Sequence, residues 1–141
     1  MLNVKKFHAV GMMAARQARE KAVSEDVTAN EVISMTALLK AWQEGVYAAG
    51  DVVVENDYPY KCIQAHDSTG NPTWNPQANP ALFSPYHATA KEYALPWRAP
   101  THAGDAYNAG EYMIWEGQIY ECLTDATVYD PEVLPSAWQL A

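Results

Sequence analysis

The chain has 141 residues, 49% of them hydrophobic and 11% aromatic, which excludes general disorder and leaves room for one ordinary domain or two to three very small ones. Its net charge of −8 is unevenly placed: residues 1–42 carry six Lys/Arg against four Asp/Glu, whereas residues 43–141 carry three against thirteen. So acidic a C-terminal part repels phosphate backbones and anionic bilayers, so no nucleic acid and no membrane is expected as a partner, while a neutral polysaccharide is compatible.

The first 42 residues differ in kind from the rest, since all nine prolines follow Tyr58 and six of seven glycines follow Trp42. Good helix formers predict a helix from Phe7 to Val23, with Val10, Met13, Ala14 and Ala18 at helical spacing. Lys5-Lys6 before Phe7–Ala15 faintly resembles a secretion signal, but His8 and Gly11 interrupt the apolar run, so no signal peptide is expected. Thr28 with Glu31 three residues later reads as a capping box opening a second helix through Val32, Ile33, Met35, Leu38 and Leu39. Neither helix buries its apolar face alone. That face must pack on the module behind it, on the other helix, or on copies of the chain, and a homo-oligomer, with a trimer favoured, is one of these solutions.

From Trp42 onward the pattern is short strands and turns. Asp51–Glu55, the turn Asn56-Asp57 and Tyr58–Ala65 predict a hairpin, and Glu111–Trp115, Glu116-Gly117 and Gln118–Thr124 predict another. These segments repeat one unit. Tyr47, Gly50, Tyr60 and Cys62 recur 60 positions on as Tyr107, Gly110, Tyr120 and Cys122. Trp74-Asn75-Pro76 and Pro80-Ala81-Leu82-Phe83 recur 55 positions on as Tyr129-Asp130-Pro131 and Pro135-Ser136-Ala137-Trp138. The fold class expected is α+β: short N-terminal helices and two small antiparallel β-sheet modules related by internal duplication. The divisions expected are a helical anchoring or oligomerisation segment at 1–40, modules at 41–86 and 97–141, and a linker at 87–96.

Each unit of about 45 residues is near the lower limit for an independent fold, so its core must come from aromatics. Trp42, Tyr47, Tyr60 and Phe83 are expected to form the first core, and Trp97, Tyr107, Tyr120 and Trp138 the second. The two cysteines read as buried free thiols acting as small hydrophobes.

Trp74 stands in a polar stretch rich in proline and glycine with little local core to join. An indole held out by Pro72 and Pro76 suits the C–H face of a pyranose ring. His66 and Asp67 begin the same loop, where hydrogen bonds to backbone or to sugar hydroxyls are the roles open to them. Tyr129 is the counterpart of Trp74, and Trp115 at the hairpin edge is a second platform or a subunit contact. No pair of carboxylates across a cleft is evident, so no enzyme is expected. The four histidines lack the companions of a metal site, and no cofactor is expected.

Together, Ala41-Trp42-Gln43, Tyr47-x-x-Gly50, Tyr60-Lys61-Cys62-Ile63-Gln64-Ala65-His66, Trp74-x-Pro76 and Pro80-Ala81-Leu82-Phe83 closely resemble the small chitin-binding type carbohydrate-binding modules, families 5 and 12. The resemblance covers 41–85 well and 97–141 more loosely. It implies compact twisted β-sheet units that hold chitin or related glycans through exposed aromatics, with Trp74 facing the ligand. The first unit departs from the pattern at Glu55, Asn56-Asp57 and Phe83, where family members usually have an aromatic, Asn-Gly and Trp. The second matches with Trp115, Gly117 and Trp138 but lacks part of the loop His66–Asn71. The arrangement also resembles small virion proteins of tailed bacteriophages, which implies a location in the virion, other virion proteins as partners, and adhesion to host glycan. A purely structural virion part is the alternative.

Overall fold

The computed structural model describes residues 14–101 and 103–141. The expected first helix is seen over residues 14–22, here α1; residues 7–13, with His8, lie outside the described residues, as does His102. The second, α2, runs Ala29–Ser34 behind a complete capping box. Thr28 Oγ1 accepts from the Glu31 N–H at 3.2 Å, and Glu31 Oε1 accepts from the Thr28 N–H at 3.1 Å. That bond to Thr28 holds the Glu31 carboxyl below the usual carboxylate range.

α2 is shorter than expected. The Ser34 hydroxyl donates to Glu31 O and the Thr36 hydroxyl to Ile33 O, both at 2.7 Å. Side chains thereby compete for helix carbonyls, and the chain tightens into a 3₁₀ turn at Thr36–Leu38. No helix among the described residues is long and apolar enough to cross a membrane.

Among the described residues, nine short strands come after α1 and α2. They are β1 Val46–Tyr47, β2 Val52–Glu55, β3 Tyr58–Cys62, β4 His66–Asp67, β5 Phe83–Pro85, β6 Leu95–Pro96, β7 Tyr112–Trp115, β8 Gln118–Cys122 and β9 Trp138–Leu140. The first lobe holds the antiparallel sheet β2-β3-β5 beside the pair β1-β4, and the second holds the sheet β6-β7-β8-β9. Both hairpins turn as the sequence predicts, with Asn56 and Asp57 at φ of 52° and 61°, and Glu116 and Gly117 at 50° and 78°.

The lobes share their strand pairing. Val53 lies opposite Tyr60 and Cys62 opposite Phe83; Met113 lies opposite Tyr120 and Cys122 opposite Trp138. Gly50 N–H donates to Cys62 O at 2.8 Å, and Gly110 N–H to Cys122 O at 2.9 Å. Both glycines sit at positive φ, 99° and 90°, where any side chain would strain the backbone. The sheets are not wholly antiparallel, since β6 runs parallel to β7 and Ala41 makes a parallel bridge to Val54. Each lobe is thus entered by a segment lying alongside its first long strand.

The eight expected core aromatics all lie in or against two clusters. Tyr60, Phe83, Val53, Tyr58 and Cys62 form the first, with Trp42 and Tyr47 packed on it. Tyr107, Trp138, Met113, Cys122 and Ala137 form the second, with Trp97 and Tyr120 packed on it. Both cysteines are free and buried, and burial pushes the Cys62 thiol up, which makes it a poor nucleophile.

β2 is apolar on both faces for a reason. Val53 faces the lobe core, while Val52 and Val54 meet Ala18, Ala22, Val32 and Leu39 of the helical segment. Among the described residues, the apolar positions Ala18, Ala22, Val32 and Leu39 are therefore covered within the chain. The stretch 87–96 is also more than a tether. Asn30 and Thr89 exchange two hydrogen bonds of 2.9 and 2.8 Å, Leu95 packs on the first core, and β6 belongs to the second sheet.

Arg98 fastens the lobes together. Its guanidinium donates to Tyr60 Oη at 3.1 Å, to Asp105 Oδ2 at 3.2 Å and to the Gln77 carbonyl at 3.0 Å. Asp105 is buried and also accepts from the Thr101 N–H and hydroxyl. Nearby, burial raises the Tyr58 hydroxyl well above its ordinary pKa and pushes Tyr107 up to about 12.

Candidate functional site

The segment between β4 and β5 is built from turns rather than regular structure, and side chains hold almost all of it. At its start, Ser68 is fully buried, and its hydroxyl both accepts from the Gly45 N–H and donates to the Gly45 carbonyl at 3.0 Å. Asp67 Oδ1 accepts from the Thr69 N–H at 3.0 Å, and its hydrogen bonding to Thr69 lowers its pKa. A tight turn closes with Asn71 N–H donating to Ser68 O, and Trp74 N–H then donates to Asn71 O at 3.1 Å.

Trp74 itself is gripped from both sides. Asn79 Nδ2 donates to the carbonyls of Thr73, at 2.7 Å, and Asn75, at 3.0 Å. One oxygen of Glu55 accepts from Asn75 Nδ2 at 3.0 Å and from the Gln77 N–H at 2.9 Å. The indole is 38% exposed and has no hydrogen bond or ring contact among the described residues. A stiff mount under an unpartnered ring is what stacking on a sugar requires, because little side-chain freedom is left to lose on binding.

The other expected site residues of this lobe divide. Asp67 is exposed at the edge of the loop. Pro76, expected to stiffen the mount of Trp74 and counted with it among the carbohydrate-binding residues, is fully buried at the start of the 3₁₀ turn Pro76–Ala78, so it stiffens the loop from within and does not reach a ligand. His66 is drawn into the wall of the core: its ring stacks on Tyr47 at 5.6 Å and meets Phe83 edge-on at 5.3 Å. Its Nδ1 lies 2.7 Å from Gln64 O, and its Nε2 is buried without a partner. Packing against two aromatics outweighs display to solvent for this residue.

In the second lobe Tyr129 is 55% exposed. Its carbonyl accepts from Trp138 Nε1 at 2.9 Å, and Asp130 Oδ1 caps the next turn through the N–H groups of Glu132 and Val133. Trp115, half-buried and edge-on to Tyr120, lines an open groove with Glu116 and with Pro131, Glu132 and Pro135 of that loop. Sequence reading missed Glu55, Asn79 and Arg98 as builders of the site. The one signal was that Glu55 stands where an aromatic is usual.

Among the described residues no three His, Cys, Asp or Glu side chains converge as a metal site would require. Residues 41–84 match the family model of carbohydrate-binding module family 5/12. No curated protein matches the chain. The matched stretch begins beside Trp42 and runs through β1 to β5, so it contains the whole Trp74 loop and every residue of its mount except Arg98.

Proposed function

We propose that the chain is a non-catalytic carbohydrate-binding protein of a tailed-bacteriophage particle, a tail or surface appendage that adheres to glycan of the host surface or cell wall. The observation that carries the glycan reading is the unpartnered Trp74 indole on a loop fixed by Asn79 and Glu55, inside the segment that matches a carbohydrate-binding module. Asp67 supplies a carboxylate for sugar hydroxyls beside it. The lobe at 97–141 is read as a second copy of the same module, a reading supported by the shared strand pairing and by Tyr129 in the place of Trp74. The virion reading rests on likeness of arrangement, a helical N-terminal segment ahead of two such units. Assembly with other virion proteins, and of three copies with one another, would then multiply weak sites. Since Ala18, Ala22, Val32 and Leu39 are buried against β2, contacts between copies through the described residues would fall on exposed ones such as Val23 and Val46, and a sedimentation mass above that of one chain is expected.

Trp74→Ala is expected to lower retention on insoluble chitin or host cell wall at least tenfold with an unchanged circular dichroism spectrum. Retention equal to wild type would remove the adhesin reading and leave a structural virion part that uses the same fold.

A further inference from the structure

We infer that the groove of the second lobe is a separate sugar site, selective for glycans that carry protonated amines, such as polymers of glucosamine. The groove is open to solvent and offers about 540 Å³. Trp115 and Tyr120, both partly exposed, line it beside Pro135, the buried Trp138 and Pro131 border it, and Glu116 and Glu132 bring two carboxylates. Both glutamates are exposed, and neither side chain has a hydrogen-bond or ion-pair partner among the described residues. Residues 97–141 hold seven Asp/Glu against one Lys/Arg, and that one, Arg98, is engaged by Asp105, Tyr60 and the Gln77 carbonyl outside the groove lining.

Those groups define the chemistry of the ligand. A pyranose ring offers apolar C–H faces to the aromatics, and an ammonium on the same ring gains cation–π attraction and a carboxylate. N-acetylation removes the charge and both of those gains. Each exposed charge pair is weak, so selectivity shows on oligomers, where several amines engage together. The lobe pairs its strands as the carbohydrate-module segment does, which favours a sugar over a lysine-rich peptide. The inference rests on the glycan reading of the fold but makes no use of Trp74.

The test titrates glucosamine oligomers and N-acetylglucosamine oligomers of equal length into the full chain carrying Trp74→Ala, at mildly acidic pH. Binding of the glucosamine oligomers is expected to persist, to weaken with salt, and to fall about five- to tenfold on adding Glu116→Gln with Glu132→Gln. Adding Trp115→Ala is expected to weaken it similarly. Glu44→Gln with Asp57→Asn, the same change of net charge on the first lobe, is expected to leave it within about twofold. Absent binding, or an equal fall with both neutralised pairs, overturns the site; the second result means general charge attraction. So does oligolysine that binds the groove as tightly as glucosamine oligomers of equal charge. Loss of chitin retention in Trp74→Ala alone reads the first lobe, so the two proposals fail separately.

Discussion

The two lobes pair their strands alike yet hold their exposed aromatic by different means. In the first, the carbonyls on either side of Trp74 are bonded by the amide of Asn79, and Phe83 below offers no donor. In the second, the residue aligned with Asn79 is Leu134, and the Tyr129 carbonyl is bonded instead by Trp138 Nε1, on the residue aligned with Phe83. A similar exchange occurs at the hairpin. Glu55 reaches across to fasten the loop, whereas Trp115 in its place leaves a groove open beside the shorter loop. A small sheet with few core residues thus fixes a long loop through polar staples, and frees surface elsewhere when an aromatic takes over that task.

The comparison breaks most severely at Arg98, which serves both lobes. Arg98→Ala removes the guanidinium paired with the buried Asp105 carboxylate and is expected to cost about 3 kcal/mol in urea unfolding. Chitin retention should fall as well, because Gln77 O in the Trp74 loop loses its donor. Arg98→Lys should recover little, since one ammonium cannot span the three acceptors a guanidinium reaches. Unchanged retention in a folded Arg98→Ala would show that the first lobe shapes its loop unaided.

Next in size is an alkaline effect that belongs to the second core. Tyr107 is raised from 10.0 to about 12 by burial, so the folded state favours the neutral phenol. Its contribution is complete below pH 10 and is lost as pH climbs toward 12, a change of about 2–3 kcal/mol. Tyr107→Phe should flatten that part of the urea-midpoint profile; an equally steep profile in the variant would assign the loss to another group, with buried Tyr58 the first suspect.

The smallest effects come from exchanging the staples. Asn79→Leu places the second lobe's residue in the first, and is expected to cost about 1–2 kcal/mol and to weaken chitin retention. Trp138→Phe places the first lobe's residue in the second and should cost about 1 kcal/mol without touching Trp74-dependent retention. If both exchanges left retention unchanged, the two fastenings would be incidental to the display of Trp74.

Features set by neighbours in the chain were legible from sequence. The capping box at Thr28, the turns at Asn56-Asp57 and Glu116-Gly117, and the glycines at 50 and 110 depend on residues within a few positions. The aromatic cores were legible for a different reason, since units this small have nothing else large enough to bury. Helix length was misjudged because Ser34 and Thr36 bond to backbone carbonyls that apolar spacing ignores. The stiffening role of Pro76 and a backbone bond for His66 were legible from the loop, whereas counting them among the sugar contacts ignored that the fold buries Pro76 and packs the His66 ring against aromatics. The staples from Glu55 and Arg98 span up to 38 residues and join separate elements, so no local pattern announces them.

The grip of Arg98 on Gln77 has a mechanical consequence. Two sugar-facing surfaces joined by a slack tether could each find a ring on any wandering chain. Here one guanidinium bonds both the Gln77 carbonyl in the Trp74 loop and Asp105 of the other lobe, which resists their tilting apart. Such a two-pronged clasp would favour rows of rings laid out at fixed intervals, as in a crystalline wall, over the same polymer loose in solution.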